Sequence, residues 1–228
     1  DTGENFAQQV RRLIQIRAKV QYQYGVKRGK LDYARLSRVV MKQPGFSDRV
    51  FKNKITNTVL DAAVSIMIDM SGSMSGDKVL YAAETSLLLL NVFQTLQIPL
   101  EIAGFTDTGD APIIYIYKPF SKLKMTPETL LDYIAASSCR MAGNPDSDAI
   151  IWAYDRLLKR KEKKRLLMVL SDGQPAASLP GSGLDLYTKK VIKEIENAKK
   201  VDIYGFGICT CDVASYYKHN STVWKPEE

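Results

Sequence analysis

The sequence has few of the residues that bind soft metals or act as general bases. Its 228 residues include three cysteines and one histidine. Three cysteines do not make a disulfide framework, and the single residue between Cys209 and Cys211 is not the spacing of a zinc knuckle. A Ser-His-Asp triad lacks a suitable base, because His219 lies near the end of the chain. These shortages favour a cytoplasmic protein that works without thiolate or imidazole chemistry.

Long apolar runs and a signal peptide are also missing. No run approaches the roughly 20 apolar residues that cross a bilayer, so we expect no membrane contact. The first residues contain neither an initiator Met nor a basic, apolar and small-residue signal. We therefore expect the chain to be part of a longer protein. Its hydrophobic content of 45% and charged content of 25% are those of a folded domain.

Positive charge is concentrated near the start of the chain. The net charge is +7, yet residues 1–60 carry 13 Lys and Arg against 4 Asp and Glu. Hydrophobic periods of three and four predict a helix over residues 6–23 and a short basic helix over 31–41. Residues 46–59 fit either a strand or an irregular segment. Residues 1–57 are therefore predicted to form a basic, mostly helical arm that meets nucleic acid or an acidic partner, or is simply solvated.

The body, residues 58–228, alternates between strands and helices. Buried strands are predicted over 63–68, 165–170 and 201–208, with a hairpin formed by 100–105 and 113–117. Helices are predicted over 79–96, 127–138, 146–158, 186–199 and 212–219. Such alternation predicts an α/β fold with a doubly wound, mostly parallel sheet and one antiparallel edge hairpin.

Three loops of the body carry oxygen-bearing side chains. One follows the first buried strand, one opens the helix over 146–158, and one follows the strand over 165–170. Because the carboxyl ends of parallel strands meet at one edge, these loops are expected to converge there. An all-oxygen set suits a hard divalent cation, Mg²⁺ or else Mn²⁺ or Ca²⁺, with waters or a partner's carboxylate completing its ligands. The candidate metal ligands are Asp69, Ser71, Ser73, Asn144, Asp146 and Asp172.

Other interpretations of these loops are open. Ser and Asp also cap helices. The Gly-rich loop that ends at Lys78 resembles a phosphate cradle but lacks the Gly-Lys-Ser/Thr ending. A hydrolase that uses the metal to activate water would find only Asp residues as bases. We expect Thr106, Asp107 and Asp110 to shape the hairpin turn rather than to add oxygen ligands around the metal.

The pattern Asp69-x-Ser71-x-Ser73 resembles the metal-ion-dependent adhesion site of von Willebrand factor A (VWA) domains, over roughly residues 59–223. The resemblance implies a VWA-like domain over 58–228, in which the serines and a Thr of the second loop bind the metal and the Asp residues act through water. Asp172 matches the third motif. The second motif departs from the family, with Asn144 where the Thr is expected and Asp146 two residues later, so either could be the ligand.

Further stretches are similar to the CobT subunit of aerobic cobaltochelatase. In order along the chain they are residues 31–40, Gly104-Phe-Thr106, Asn144-x-Asp146, Ile151-Trp-Ala153, Leu170-Ser-Asp-Gly-x-Pro175 and Asp212-Val-x-x-Tyr-Tyr217.

The CobT resemblance implies a partner and a pathway. CobT works with a CobS-like AAA+ ATPase of the MoxR type, which supports cobalt insertion by the large CobN subunit into a corrin precursor in cobalamin biosynthesis. It further implies a domain that is not catalytic by itself and belongs to a cobaltochelatase-type complex. One alternative is a CobT-like adaptor, for example in a phage, that lets a MoxR ATPase remodel other proteins. Another is a nucleic-acid-binding adaptor that uses the basic arm.

Overall fold

The computed structural model describes residues 19–33, 51–57, 61–107, 111–172 and 183–223. These residues fall into two compact units, one within Gln15–Leu60 and one that runs from Asp61 onward. Among the described helices, none is both long and apolar enough to cross a membrane.

The first unit contains a small antiparallel sheet. Its strands are β1 (Lys19–Val26), β2 (Lys30–Leu31) and β3 (Phe51–Asn57), in the order β1-β3-β2. The helix predicted over 6–23 is therefore wrong from residue 19 onward. Val or Tyr at positions 20, 22, 24 and 26 alternates with Lys, Gln or Gly, which is the period of a strand.

The other predictions for the arm are only partly covered by the described residues. Leu31, the first residue of the helix predicted over 31–41, belongs to β2. Of the two alternatives for residues 46–59, the strand is found over Phe51–Asn57, as β3. Residues 6–18 and 34–50 lie outside the described ranges.

The elements of the second unit are β4 (Ala62–Asp69), α1 (Asp77–Thr95), β5 (Leu100–Asp107), β6 (Pro112–Lys118), α2 (Pro127–Ser138), α3 (Asp146–Leu158), β7 (Lys164–Ser171), α4 (Leu184–Ala198), β8 (Asp202–Ile208) and β9 (Asn220–Val223). The strands form a six-stranded sheet in the order β6-β5-β4-β7-β8-β9. All neighbouring strands are parallel except β6, which pairs antiparallel with β5 at one edge. This confirms the predicted mostly parallel α/β sheet with an edge hairpin.

The last part of the sheet differs from the prediction. Where a helix was expected over 212–219, a short 3₁₀ helix covers Asp212–Ser215, and β9 then adds a sixth strand parallel to β8. The strand has four residues and begins Asn-Ser-Thr, so it carries no apolar run that would signal a strand.

The central strands of the sheet are buried in the apolar core. All eight residues of β4 are buried, and Ala63 and Met67 of this strand belong to an apolar cluster shared with α3 and α4. Since side chains alternate along a strand, Asp69 lies on the same face as these two residues. In parallel register, Asp69 stands beside Phe105 of β5, and Ile68 stands beside Leu170 of β7. The carboxyl ends of β4, β5 and β7 therefore meet at one edge.

Candidate metal centre

Asp69 is the point at which the three predicted loops meet. It ends β4 and is fully buried. One carboxylate oxygen, Oδ1, accepts the backbone N–H of Ser71 at 2.8 Å. The other, Oδ2, accepts from Asn144 Nδ2 at 3.1 Å and from Ser171 Oγ at 3.0 Å. One buried carboxylate thus binds the first, second and third loops together.

The first loop presents two hydroxyl groups side by side. Ser71 Oγ and Ser73 Oγ are 3.0 Å apart. Ser71 is buried, whereas Ser73 is exposed, so the pair runs from the interior to the surface. The backbone of this loop pairs with the second loop, because the N–H of Gly72 donates to the carbonyl of Ala142 at 2.8 Å.

The second loop is held by the end of β5. The hydroxyl of Thr106 accepts the N–H of Ala142 at 3.1 Å and donates to the carbonyl of Gly143 at 3.3 Å. Asp107 Oδ1 accepts the N–H of Gly143 at 2.9 Å. A Cβ at position 143 would lie 2.2 Å from Asp107 Oδ2, so any other residue here would displace the Asp107 carboxylate. Thr106 and Asp107 therefore anchor the second loop, a role that the expected hairpin turn did not include; Asp110 lies outside the described residues.

Asn144 and Asp146 lie against Asp69 in the interior. Both are nearly fully buried, and Asp146 is the first residue of α3. Besides its bond to Asp69, the side chain of Asn144 lowers the pKa of Asp146. The amide therefore favours the charged forms of two neighbouring carboxylates.

The third loop brings a carboxylate that already has a cation beside it. Asp172 directly follows β7, and its side chain is 7% exposed. Its Oδ2 accepts from Lys78 Nζ, in the first turn of α1, at 2.9 Å. The residue before it, Ser171, was not among the candidates although its hydroxyl donates to Asp69. The sequence gives no signal for the contact between Lys78 and Asp172. For the contact between Ser171 and Asp69, the only signal is the position of Ser171 at the end of a buried strand.

The charges of these carboxylates act on one another. Burial raises the pKa of Asp69 to about 6, and the charge of Asp172 raises it too, whereas the hydrogen bonds from Ser71 lower it. Burial raises the pKa of Asp146 well above its usual range, with further contributions from the charges of Asp69 and Asp172. Carboxyl groups that disfavour one another's ionisation in this way favour a bound cation.

A buried tyrosine lies close to the same charges. Burial raises the pKa of Tyr217 well above its usual value, and the charges of Asp146 and Asp69 add to that shift. Gly205 of β8 makes room for this ring, because a Cβ there would lie 2.2 Å from a ring carbon. The motif over residues 212–217 thus includes a residue that packs beneath the site.

The structure brings together Asp69, Ser71, Ser73, Asn144, Asp146 and Asp172 through the contacts above. Their role as metal ligands stays a prediction. Among the described residues, no group of three or more His, Cys, Asp and Glu side chains is placed to hold a metal by itself. The predicted set does not depend on such a group, since Ser hydroxyls and an amide supply much of its oxygen. In chemistry and charge, the donor set fits a hard divalent cation.

Comparison with known proteins identifies the family. The VWA domain of the cobalamin biosynthesis protein CobT matches residues 50–113 and 133–228, well over half of the chain. The chain belongs to the CobT VWA-domain family. As a CobT-like VWA domain, it is expected to work through protein interactions, and the matched region includes all six candidate residues.

One solved structure shares the fold of this chain. The chain is similar to proximal thread matrix protein 1 from the mussel byssus, with 13% identity and a TM-score of 0.51, over 72% of this chain and 43% of that one. It thus spans less than half of the mussel protein. The von Willebrand factor domain of the type V pili tip protein Mfa5 from Porphyromonas gingivalis is also similar, with 11% identity and a TM-score of 0.46. That match covers 71% of this chain and 89% of the other. The first likeness shows a shared fold, and the second is too weak to support an inference.

Proposed function

We propose that this chain is a metal-dependent protein-interaction domain of a CobT-like subunit. Ser71, Ser73 and the second loop, through Asn144 or Asp146, would hold Mg²⁺ or another hard divalent cation. Asp69 and Asp172 would balance its charge, acting through water. The observation that carries this proposal is the set of hydrogen bonds by which Asp69 links all three loops.

The chain's own residues prepare the site for such a cation. Asp69 keeps Ser71 and Asn144 in place from the buried side. The exposed Ser73 marks the side from which a partner would approach. When bound, the cation would supply a positive charge to which an Asp or Glu carboxylate of the partner binds. A contact of this kind is made or broken with the metal.

The family suggests the system in which this contact is used. Since the matched domain is that of a cobalamin biosynthesis protein, we propose a MoxR-type, CobS-like AAA+ ATPase as the partner. Together with a CobN-like large subunit, the pair would support cobalt insertion into a corrin precursor, with cobalt as cargo rather than as the ion of this site.

Metal binding is tested first on the chain alone. Mn²⁺ binding is followed by electron paramagnetic resonance and Mg²⁺ binding by the shift in melting temperature. A Ser71→Ala/Ser73→Ala double variant should lose both signals. Ser138→Ala is the matched control, because that hydroxyl bonds only the carbonyl of Ala135 on the exposed surface of α2 in the contacts seen. Equal binding by the double variant and the control would refute the assigned ligands.

The partner is tested by affinity capture from the source cells. The immobilised chain, with Mg²⁺ or with EDTA, is compared with Asp69→Ala, and captured proteins are identified by mass spectrometry. Recovery of a MoxR-type ATPase only with metal and only by the native chain supports the proposal. Recovery that neither EDTA nor the variant changes contradicts it. Capture of the ATPase without a CobN-like subunit would favour an adaptor with no chelatase role.

A further inference from the structure

We infer that Lys78 is a built-in counter-ion of the site that competes with the divalent cation for Asp172. This inference rests on the proposed function, because it concerns the same metal site. Lys78 Nζ lies 2.9 Å from Asp172 Oδ2. The contact joins residues 94 positions apart, so the fold, and not the local sequence, brings the ammonium group there.

The ion pair lies at the boundary between the interior and solvent. The side chain of Asp172 is 7% exposed and that of Lys78 is 37% exposed. A carboxylate this well covered gains from a partner charge, since an unpaired buried charge is costly. The four-carbon stem of lysine is flexible, so the ammonium group can leave without disturbing the backbone.

The neighbourhood of Asp172 explains why a counter-ion is needed. The charges of Asp69 and Asp146 both interact with that of Asp172. Three acidic groups at the end of one sheet disfavour the folded state when no cation is present. Lys78 follows the Ser71–Ser73 loop in the first turn of α1, so the element that starts beside the site supplies the compensating charge.

A divalent ion that binds here meets this ammonium group. Either Lys78 leaves Asp172, or it stays and repels the ion while it neutralises one ligand. In both cases Lys78 weakens metal binding and stabilises the metal-free domain. The residue thus sets the metal concentration at which the site fills.

The test compares Lys78→Met with Lys164→Met. Lys164 is a matched control, since its side chain is 30% exposed and pairs with Asp202 at 3.9 Å. It starts β7 while Asp172 follows the end of that eight-residue strand, so the two lie roughly 20 Å or more apart. Lys78→Arg keeps the charge and serves as a second control.

Mn²⁺ affinity is measured by calorimetry and electron paramagnetic resonance, and metal-free stability by thermal unfolding in EDTA. Lys78→Met should bind Mn²⁺ about tenfold or more tightly than the native chain, and its metal-free melting temperature should fall. Lys164→Met and Lys78→Arg should keep the native affinity. A variant that merely folds badly would not bind more tightly.

The two proposals fail in different ways. Native and Lys78→Met chains that bind Mn²⁺ equally well refute the role of Lys78 and leave the metal site standing. Weaker binding by Lys78→Met also refutes it. If neither chain binds Mn²⁺ or Mg²⁺, the proposed metal site itself is refuted.

Discussion

Replacement of Asp69 by Asn should make the metal-free domain relatively more stable as the pH rises. Burial raises the pKa of Asp69 from its usual 3.8 to about 6 in the folded state. An acid with a raised folded pKa stabilises the fold in full below pH 3.8, and this contribution is lost as the pH rises through about 6. The difference between a pKa of 3.8 and one of about 6 corresponds to about 3 kcal/mol of stability.

The substitution Asp69→Asn also changes hydrogen bonds, and those of the Asn amide do not depend on pH because the amide does not titrate. The Asn oxygen can still accept the N–H of Ser71, whereas its NH₂ group replaces the acceptor that faces Asn144 and Ser171. We expect a constant cost of about 1–3 kcal/mol from this mismatch. The free energy of unfolding of the variant, relative to the native chain, should therefore rise by about 2 kcal/mol between pH 4 and pH 7.5, because part of the contribution is already lost at pH 4.

Urea unfolding in EDTA at several pH values, followed by circular dichroism, measures this difference. Asp132→Asn, on the exposed side of α2, serves as the control for the loss of an unburied carboxylate. Asp69→Asn should in addition gain no stability from Mg²⁺ at pH 7.5. A difference between Asp69→Asn and the native chain that is the same at pH 4 and pH 7.5 would show that Asp69 does not carry a buried, disfavoured charge.

Two further substitutions test the supports of the site and of the sheet. Gly143→Ala places a Cβ 2.2 Å from Asp107 Oδ2, so it should lower the free energy of unfolding by about 1–3 kcal/mol and weaken Mn²⁺ binding. In the control Gly72→Ala, the Cβ would lie 3.7 Å from its nearest neighbour, so both effects should be smaller. Equal effects of the two substitutions in calorimetry and urea unfolding would contradict this prediction. Arg156→Met leaves the fully buried Glu101 without the guanidinium that bonds it at 2.9 and 3.0 Å, so urea unfolding should show a loss of about 3–5 kcal/mol, partly restored by adding Glu101→Gln. No recovery in that double variant would show that the loss does not come from an unpaired charge.

The sequence predicts the architecture of the second unit well because its central strands are buried on both faces. The apolar runs of β4, β5 and β7 end at polar turn residues, so their type and direction follow from local pattern. The same approach fails for residues 19–23, where a helical period and a strand period overlap and pairing with β3 decides the outcome. It also misses β9, whose short polar sequence becomes a strand through the neighbouring edge of β8.

The site is only partly predictable for a related reason. The loops that carry Asp69, Asp146 and Asp172 follow from the rule that parallel strands end at one edge. The residues that organise these loops do not follow from it. Thr106 and Asp107 act on a loop 36 or 37 positions away, and their contacts depend on how β5 lies beside β4. No spacing in the sequence records such contacts.

The bridge between Ser71 and Ala142 has a consequence for protein engineering. The first and second loops are joined by a backbone hydrogen bond, and the second loop is also hydrogen-bonded to the last residues of β5. A chimera that grafts only the acidic and hydroxyl-bearing segments onto another VWA scaffold would lose the hydrogen bonds from Thr106 and Asp107 at the end of β5. The smallest piece that can be transplanted therefore comprises all three loops together with the end of β5.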